Sequence, residues 1–220
     1  MGELVWIDLG RAPYDEAMAV QREQVEQTLR NRKRAECVIL VEHDPPVITL
    51  GRAANEGNVV MTPEQLEAMG FQVRRVGRGG DVTYHGPGQI VAYPILRLDE
   101  RGRDVHAYLR NLEEVILRVL GRLGVAGERI EGLTGVWAAA GKVAAIGVAV
   151  QRWVTYHGFS LNVCPDLSHY RAIVPCGLDK PVTSVSELLG RKVETSQVKP
   201  LVIEFMVEVF GFERAVEGER

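Results

Sequence analysis

The chain has 220 residues, of which 46% are hydrophobic and 25% charged, with 23 glycines and 10 prolines that follow no period. This composition excludes the collagenous, low-complexity and disordered classes, and the length suffices for the core of one domain, expected to span 1–220. With 26 Lys and Arg against 29 Asp and Glu, the net charge of −3 argues against a general nucleic-acid binder.

Tyr14, Ala17, Met18, Gln21, Val25 and Leu29 recur at helical spacing and predict an amphipathic helix running into the basic cluster Arg30, Arg32, Lys33 and Arg34. Cys37 to Glu42 and Val47 to Leu50 have strand character. Thr62-Pro63-Glu64-Gln65 supplies an N-cap, a first-turn proline and a capping-box glutamine for a short helix closed by Gly70. Strand runs at Gln72 to Val76 and Gln89 to Leu96 follow, separated by a glycine-rich segment. Val105, Tyr108, Leu109, Leu112, Ile116, Val119, Leu120 and Leu123 form the clearest apolar stripe and predict a helix over Asp104–Leu123. Val143 to Val150 and Val154 to Val163 flank a hairpin-length Gln151-Arg152-Trp153. Two late helices begin at Ser184, with Glu187 as capping partner, and near Ser196. Strands and helices mix without a βαβ repeat, so the fold class is α/β (α+β), a mixed sheet flanked by helices.

Three cysteines, Cys37, Cys164 and Cys176, lack CxxC spacing, which argues against a disulfide framework and a cysteine-rich zinc site and favours a reducing compartment. No run reaches the ~18 apolar residues of a membrane span, and the first residues carry no basic-then-apolar signal. A cytoplasmic location is expected. The five histidines show none of the short spacings of a zinc site. His157 and Ser160 are near in sequence, but strand alternation would put them on opposite faces.

The segment from Gly77 to Gln89 holds five glycines in thirteen residues between two strands. Glycines let a backbone approach a ligand closely and present its N–H groups, although a tight turn would account for them equally well. The segment fits neither the dinucleotide fingerprint, since Val82 stands where the third glycine belongs, nor a GKS/GKT phosphate loop. Cys176 is flanked by Pro175 and Gly177, a turn that could expose a sulfur; Cys37 and Cys164 read as small buried hydrophobes. Lys142, one of only five lysines, interrupts an apolar stretch. A lysine beside a thiol lowers the thiol's pKa and raises its nucleophilic fraction, but sequence does not place Lys142 beside Cys176.

Arg78-Gly79-Gly80-Asp81-Val82-Thr83-Tyr84-His85-Gly86-Pro87-Gly88-Gln89-Ile90-Val91-Ala92-Tyr93, with Gly141-Lys142-Val143-Ala144-Ala145-Ile146-Gly147 and Pro175-Cys176-Gly177, resembles the lipoyl(octanoyl) transferases over nearly the whole chain. The signature of that family, Arg-Gly-Gly, two residues, Thr, an aromatic, His, two residues and Gly-Gln, then an apolar residue and Tyr, is met at every position. The resemblance implies the fold of the biotin and lipoate protein ligases, with Cys176 as the acyl-thioester nucleophile and Lys142 as its activating partner. It further implies substrate contacts by Arg78, Gly79, Gly80, Asp81, Val82, Thr83, Tyr84 and His85, by Ala145, Ile146 and Gly147, and by Gly158, Phe159 and Ser160. Ser160 stands where alanine is frequent in the family.

By the same resemblance no ATP, metal or other cofactor is needed, the octanoyl group arriving on the phosphopantetheine of acyl carrier protein. The implied partners are that carrier, the lipoyl domains of 2-oxoacid dehydrogenase complexes and the glycine cleavage H protein, with no nucleic acid and no membrane. Ala144 to Val150 are expected to line an acyl slot, N–H groups near Cys176 or in Gly79-Gly80 to hold the oxyanion, and Arg74, Arg75 and Arg78 to form a basic docking patch. The alternatives are an ATP-dependent lipoate or biotin ligase, whose Ser-Gly-Gly-Gly, His-Asp and Gly-Arg-Gly-Arg runs are absent here, and a non-catalytic acyl-carrier-binding module.

Overall fold

The runs Glu36–His43 and Gln89–Ile95 are buried at every position, as strands covered on both faces must be. They are the central strands of a computed structural model that describes residues 2–174 and 181–219. In chain order the elements are β1 (Leu4–Ala12), α1 (Tyr14–Arg30), β2 (Glu36–His43), β3 (Val47–Leu50), α2 (Pro63–Ala68), β4 (Gln72–Arg75), β5 (Val82–His85), β6 (Gln89–Ile95) and α3 (Val105–Arg122). They continue with β7 (Glu128–Ile130), β8 (Leu133–Ala138), β9 (Gly141–Gln151), β10 (Val154–Asn162), α4 (Val185–Leu189), α5 (Thr195–Phe210) and β11 (Ala215–Glu217).

Eight strands form one sheet in the order β11-β1-β2-β6-β10-β9-β8-β7, and β4-β3-β5 form a smaller one. The large sheet is mixed: β1 runs parallel to β11 and β2, and the pairs from β2 to β7 are antiparallel. Alternation along β2 splits the core between the two faces. Val38 and Leu40 join Leu112, Ile116, Val202 and Met206 of α3 and α5, whereas Ile39 and Val41 join Ala17 and Met18 of α1. Each Leu or Ile sealed in this way contributes about 1.5–3 kcal/mol. A third cluster, including Ile48, Leu66, Phe71, Val82 and Tyr84, lies on one face of the small sheet.

The sequence expectations for regular elements hold closely where caps or period are clear. Asp104 caps α3 through Ala107 N–H, the Thr62–Gln65 capping box is complete, and Ser184 accepts from Glu187 N–H. Strands β1, β5, β7, β8 and β11 were not expected. In β1 the pairing register shifts between Asp8 and Arg11 and Gly10 takes φ 62°, which blurs the two-residue period. In β5 the strand sits inside the glycine-rich segment.

The interior between α1 and the sheet also holds histidine. His43 is 0% exposed and its Nε2 lies 2.7 Å from Tyr93 OH. Burial pushes the pKa of His43 down to about 4, and burial, with Arg78 and Arg52 adding, does the same to His157. The unfolded chain binds a proton on each ring near pH 6.5, whereas the folded chain holds both neutral down to about pH 4. Stability therefore falls with decreasing pH through this window and is independent of these groups above it, by on the order of 3 kcal/mol per ring. Urea titrations between pH 7 and about 4 are expected to show this loss, with a shallower slope in His43→Asn; an unaltered slope in the variant would show that His43 is not its source.

Candidate active site

Successive residues of β5 point to opposite sides. Val82 and Tyr84, both 0% exposed, enter the small core with Phe71 and Leu66. Thr83 and His85 face a cavity between the small sheet and the strands β6, β9 and β10. It is narrow, and Val91, Ile146 and Phe159 give it apolar walls.

The glycine-rich loop is seated on β9 by a hydrogen bond from Gly79 N–H to Val148 O, 2.8 Å. Arg78 is turned inward and 7% exposed, its Nη2 donating to Thr49 O at 2.7 Å and Thr49 Oγ1 at 2.8 Å, and its Nη1 to Gly79 O at 3.0 Å. Glycine is required for this approach. A Cβ on Gly147 would lie 2.9 Å from both Arg78 Cδ and Gly79 O, and one on Gly51 would lie 2.3 Å from Gly80 O. Asp81 accepts from Asn55 N–H at 2.9 Å and from Asn58 Nδ2 at 2.5 Å. The Asn58 carbonyl in turn accepts from Val174 N–H at 2.7 Å. Asp81 thus ties the loop to the chain just ahead of 175–180.

The polar rings of the cavity are held uncharged. Burial is the main cause at His85, whose pKa lies well below the ordinary value, with His43 and Arg78 adding to the effect. Tyr14 is pushed up to about 12 by burial, against the pull of Arg78, and burial raises Tyr93 well above its usual value. The walls consequently offer neutral donors and acceptors around one buried guanidinium.

Lys142 lies on β9 opposite Trp137, with Nζ 4.9 Å from the indole centroid. Its N–H donates to Pro181 O at 2.9 Å and its carbonyl accepts from Thr183 N–H at 3.0 Å. Space for its stem comes from Gly135, where a Cβ would stand 2.8 Å from Lys142 Cε and 2.7 Å from Ala144 O. Lys142 borders two recesses, one shared with Thr83 and Ala145 and one with Gly80, Asp81, Ile146 and Gly147. Those six residues also line the main cavity, so the recesses that Lys142 borders share wall residues with it.

Of the residues singled out in the sequence, Arg78, Gly80, Asp81, Thr83, His85, Ala145, Ile146, Gly147, Gly158, Phe159 and Ser160 line the cavity together. Gly79 borders the recess shared with Lys142, and Val82 and Tyr84 face away. Cys176 lies outside the described residues. Cys37 is buried, its thiol pushed up to about 12 chiefly by burial. Cys164 is half-buried rather than sealed, its thiol raised by burial, then Glu194 and Glu42, and it borders a separate groove with Lys192 and Thr195.

Three expectations need correction. His157 and Ser160 both line the cavity, because His157 adopts φ 56° and breaks the alternation that would have separated them. Arg78 is buried and offers no docking charge, while Arg74 is paired with Asp15 and Arg75 with Glu56. The Gly79 N–H is already bound to Val148 O, which removes it as an oxyanion donor.

Sequence reasoning missed Tyr14, Thr49, Val91, Tyr93 and His157 in the cavity and Gly135 beneath Lys142. Val91 and Tyr93 lie within the signature run and carry a readable signal there. Among the described residues no three His, Cys, Asp or Glu side chains group as metal ligands, and no helix is long and apolar enough to cross a membrane.

Comparison with known proteins matches residues 13–207 to the lipoyl protein ligase A/B catalytic domain. The chain is 47% identical over 211 residues to an octanoyltransferase of Gloeobacter violaceus, covering 96% of this chain and 92% of that one. It is 47% identical over 205 residues to an octanoyltransferase of Solibacter usitatus, covering 93% and 92%. The solved structure of a bi-partite lipoate protein ligase from Thermoplasma acidophilum shares the fold, with a TM-score of 0.78 at 16% identity over 100% of this chain and 88% of that one. The loop, the lysine strand and the cavity they enclose therefore belong to an enzyme of the octanoyltransferase family, within the lipoyl protein ligase A/B catalytic-domain fold.

Proposed function

We propose that this octanoyltransferase takes its acyl group from the phosphopantetheine thiol of acyl carrier protein onto Cys176. It then delivers the group to the ε-amine of a lysine on a lipoyl domain, whether of a 2-oxoacid dehydrogenase complex or of the glycine cleavage H protein. The observation that carries this reading is the placing of Lys142. It borders a recess that shares Thr83 and Ala145 with the partly apolar cavity, on a strand hydrogen-bonded to Pro181 and Thr183, which follow the Cys176 segment in the chain.

In the first half-reaction the Cys176 thiolate attacks the carrier thioester carbonyl, and collapse expels the pantetheine thiol. A neighbouring ammonium raises the thiolate fraction, which is the part assigned to Lys142. One thioester replaces another at nearly equal energy, so acyl-enzyme accumulates. In the second half-reaction a neutral amine attacks, and conversion of thioester to amide is downhill without ATP. The octanoyl chain lies against Val91, Ile146 and Phe159, where each buried CH₂ contributes ~0.8 kcal/mol.

Intact-protein mass spectrometry after incubation with octanoyl carrier is expected to show one added octanoyl group, discharged on adding lipoyl domain and never formed by Cys176→Ser. Lys142→Ala is expected to slow loading by ~10²-fold or more at neutral pH. Formation of octanoyl adenylate from labelled ATP and free octanoate would instead identify a ligase.

A test of the loop's seat is Gly147→Val, whose Cβ collides with Arg78 Cδ and Gly79 O. Displacing the loop is expected to reduce acyl-enzyme formation by ~10²-fold while circular dichroism stays that of the parent; wild-type loading by the variant would remove the loop from the site.

A further inference from the structure

We infer that Tyr14 and His157 close the end of the cavity remote from Lys142 and set the length of acyl chain that the enzyme takes, which makes them its specificity-determining residues. The inference rests on the acyl transfer proposed above and names the part of the site that selects its substrate.

The cavity has two distinguishable ends. The recesses that Lys142 borders share with it Thr83 and Ala145, and Gly80, Asp81, Ile146 and Gly147, and neither includes Tyr14, Tyr93 or His157. Tyr14 and His157 belong instead to an outer groove between α1 and β4 that passes Met18, Val76 and Tyr156 and includes none of those six residues. The two rings are therefore the wall that the cavity and the outer groove have in common.

Strand register gives the length of the space they close. Ala145 lies opposite Ser160 and Val148 opposite His157, a separation of three residues or about 10 Å along the strand. An extended octanoyl chain has seven C–C bonds of about 1.5 Å and covers about 9 Å in zigzag, whereas a dodecanoyl chain with eleven needs about 14 Å. Strand β6 runs along the same axis: Val91 is paired with Ser160, and Tyr93, two residues on, brings its ring to 6.2 Å from that of His157. Eight carbons laid from the Lys142 side thus end against Tyr14, Tyr93 and His157.

This end is built to hold its shape. Tyr14 is the first residue of α1, buried, with its ring 5.1 Å from that of His43. His157 is held at φ 56°, a left-handed conformation that a non-glycine residue keeps only where its surroundings impose it. The imposing contact is its N–H, which donates at 2.7 Å to Oε1 of the buried Gln21. Regular alternation would have turned His157 to the face opposite Ser160; the left-handed residue swings the ring across the end of the cavity instead. Burial keeps the ring neutral, so the terminal methyl of the chain meets no charge there.

The test follows loading of the full chain from octanoyl and dodecanoyl carrier, with rates taken by intact-protein mass spectrometry. The parent is expected to prefer octanoyl by ~10²-fold or more; equal rates overturn the inference. His157→Gly, which a left-handed φ suits, and Tyr14→Ala are each expected to raise the dodecanoyl-to-octanoyl ratio at least ~10-fold, the extra methylenes lying against Met18 and Val76 in the opened groove. An unaltered ratio in His157→Gly overturns the inference, and this variant carries the test should Tyr14→Ala fail to fold. Leu112→Ala leaves a hole in the core under α3, outside the cavity lining, and is expected to keep the parent's ratio; an equal rise there would trace the change to general loosening and also overturns the inference. If the parent never loads octanoyl from the carrier, the proposed reaction fails. The length limit is then judged by calorimetric titration with free octanoate and dodecanoate, where both variants are expected to shift relative affinity toward the longer chain, and no shift overturns it.

Discussion

The site depends on one backbone contact, the 2.8 Å hydrogen bond from Gly79 N–H to Val148 O that lays the glycine-rich loop on β9. It requires missing side chains on both sides. Gly147 leaves room for Arg78 and Gly79, and Gly51 leaves room for Gly80. With the loop so seated, Arg78 reaches Thr49, Asp81 reaches Asn55 and Asn58, and the space between the two sheets becomes a walled cavity. The glycines therefore serve packing between two sheets and need no nucleotide phosphate to explain them.

That cavity combines an apolar lining with neutral aromatic polar groups and one cation. Burying a charge without partners is costly, and the guanidinium of Arg78 is accommodated by the carbonyls and hydroxyl of its own neighbourhood. The histidines around it are driven neutral by burial first and by positive neighbours second. A neutral, partly dry site suits an acyl thioester, which needs exclusion of water more than it needs charge.

Lys142 is supported from three sides: by Trp137 beneath its ammonium, by Gly135 beneath its stem, and by Pro181 and Thr183 along its backbone. The chain entering 175–180 is held by Asn58, and the chain leaving it by Lys142 itself. Loop, lysine strand and both flanks are parts of one hydrogen-bonded assembly, so a substitution at Asn58 or Gly135 reaches the loop or the lysine strand from outside the cavity.

The sequence by itself determined the helices with clear stripes and caps, the central strands with continuous apolar runs, and the family, whose signature occupies contiguous positions from Arg78 to Tyr93. Local chemistry settles such features because caps, periods and loop glycines act over a few residues. It could not sort that run by direction: Thr83 and His85 face the cavity while Val82 and Tyr84 face a core, a division set by where two sheets meet. Nor could it find that His157 rejoins Ser160 through a left-handed φ, that Arg78 is buried, or that Tyr14 and Thr49 share the site. Those are relations between residues tens of positions apart, and tertiary packing decided them because burial, register and hydrogen-bond direction exist only once the sheets have come together.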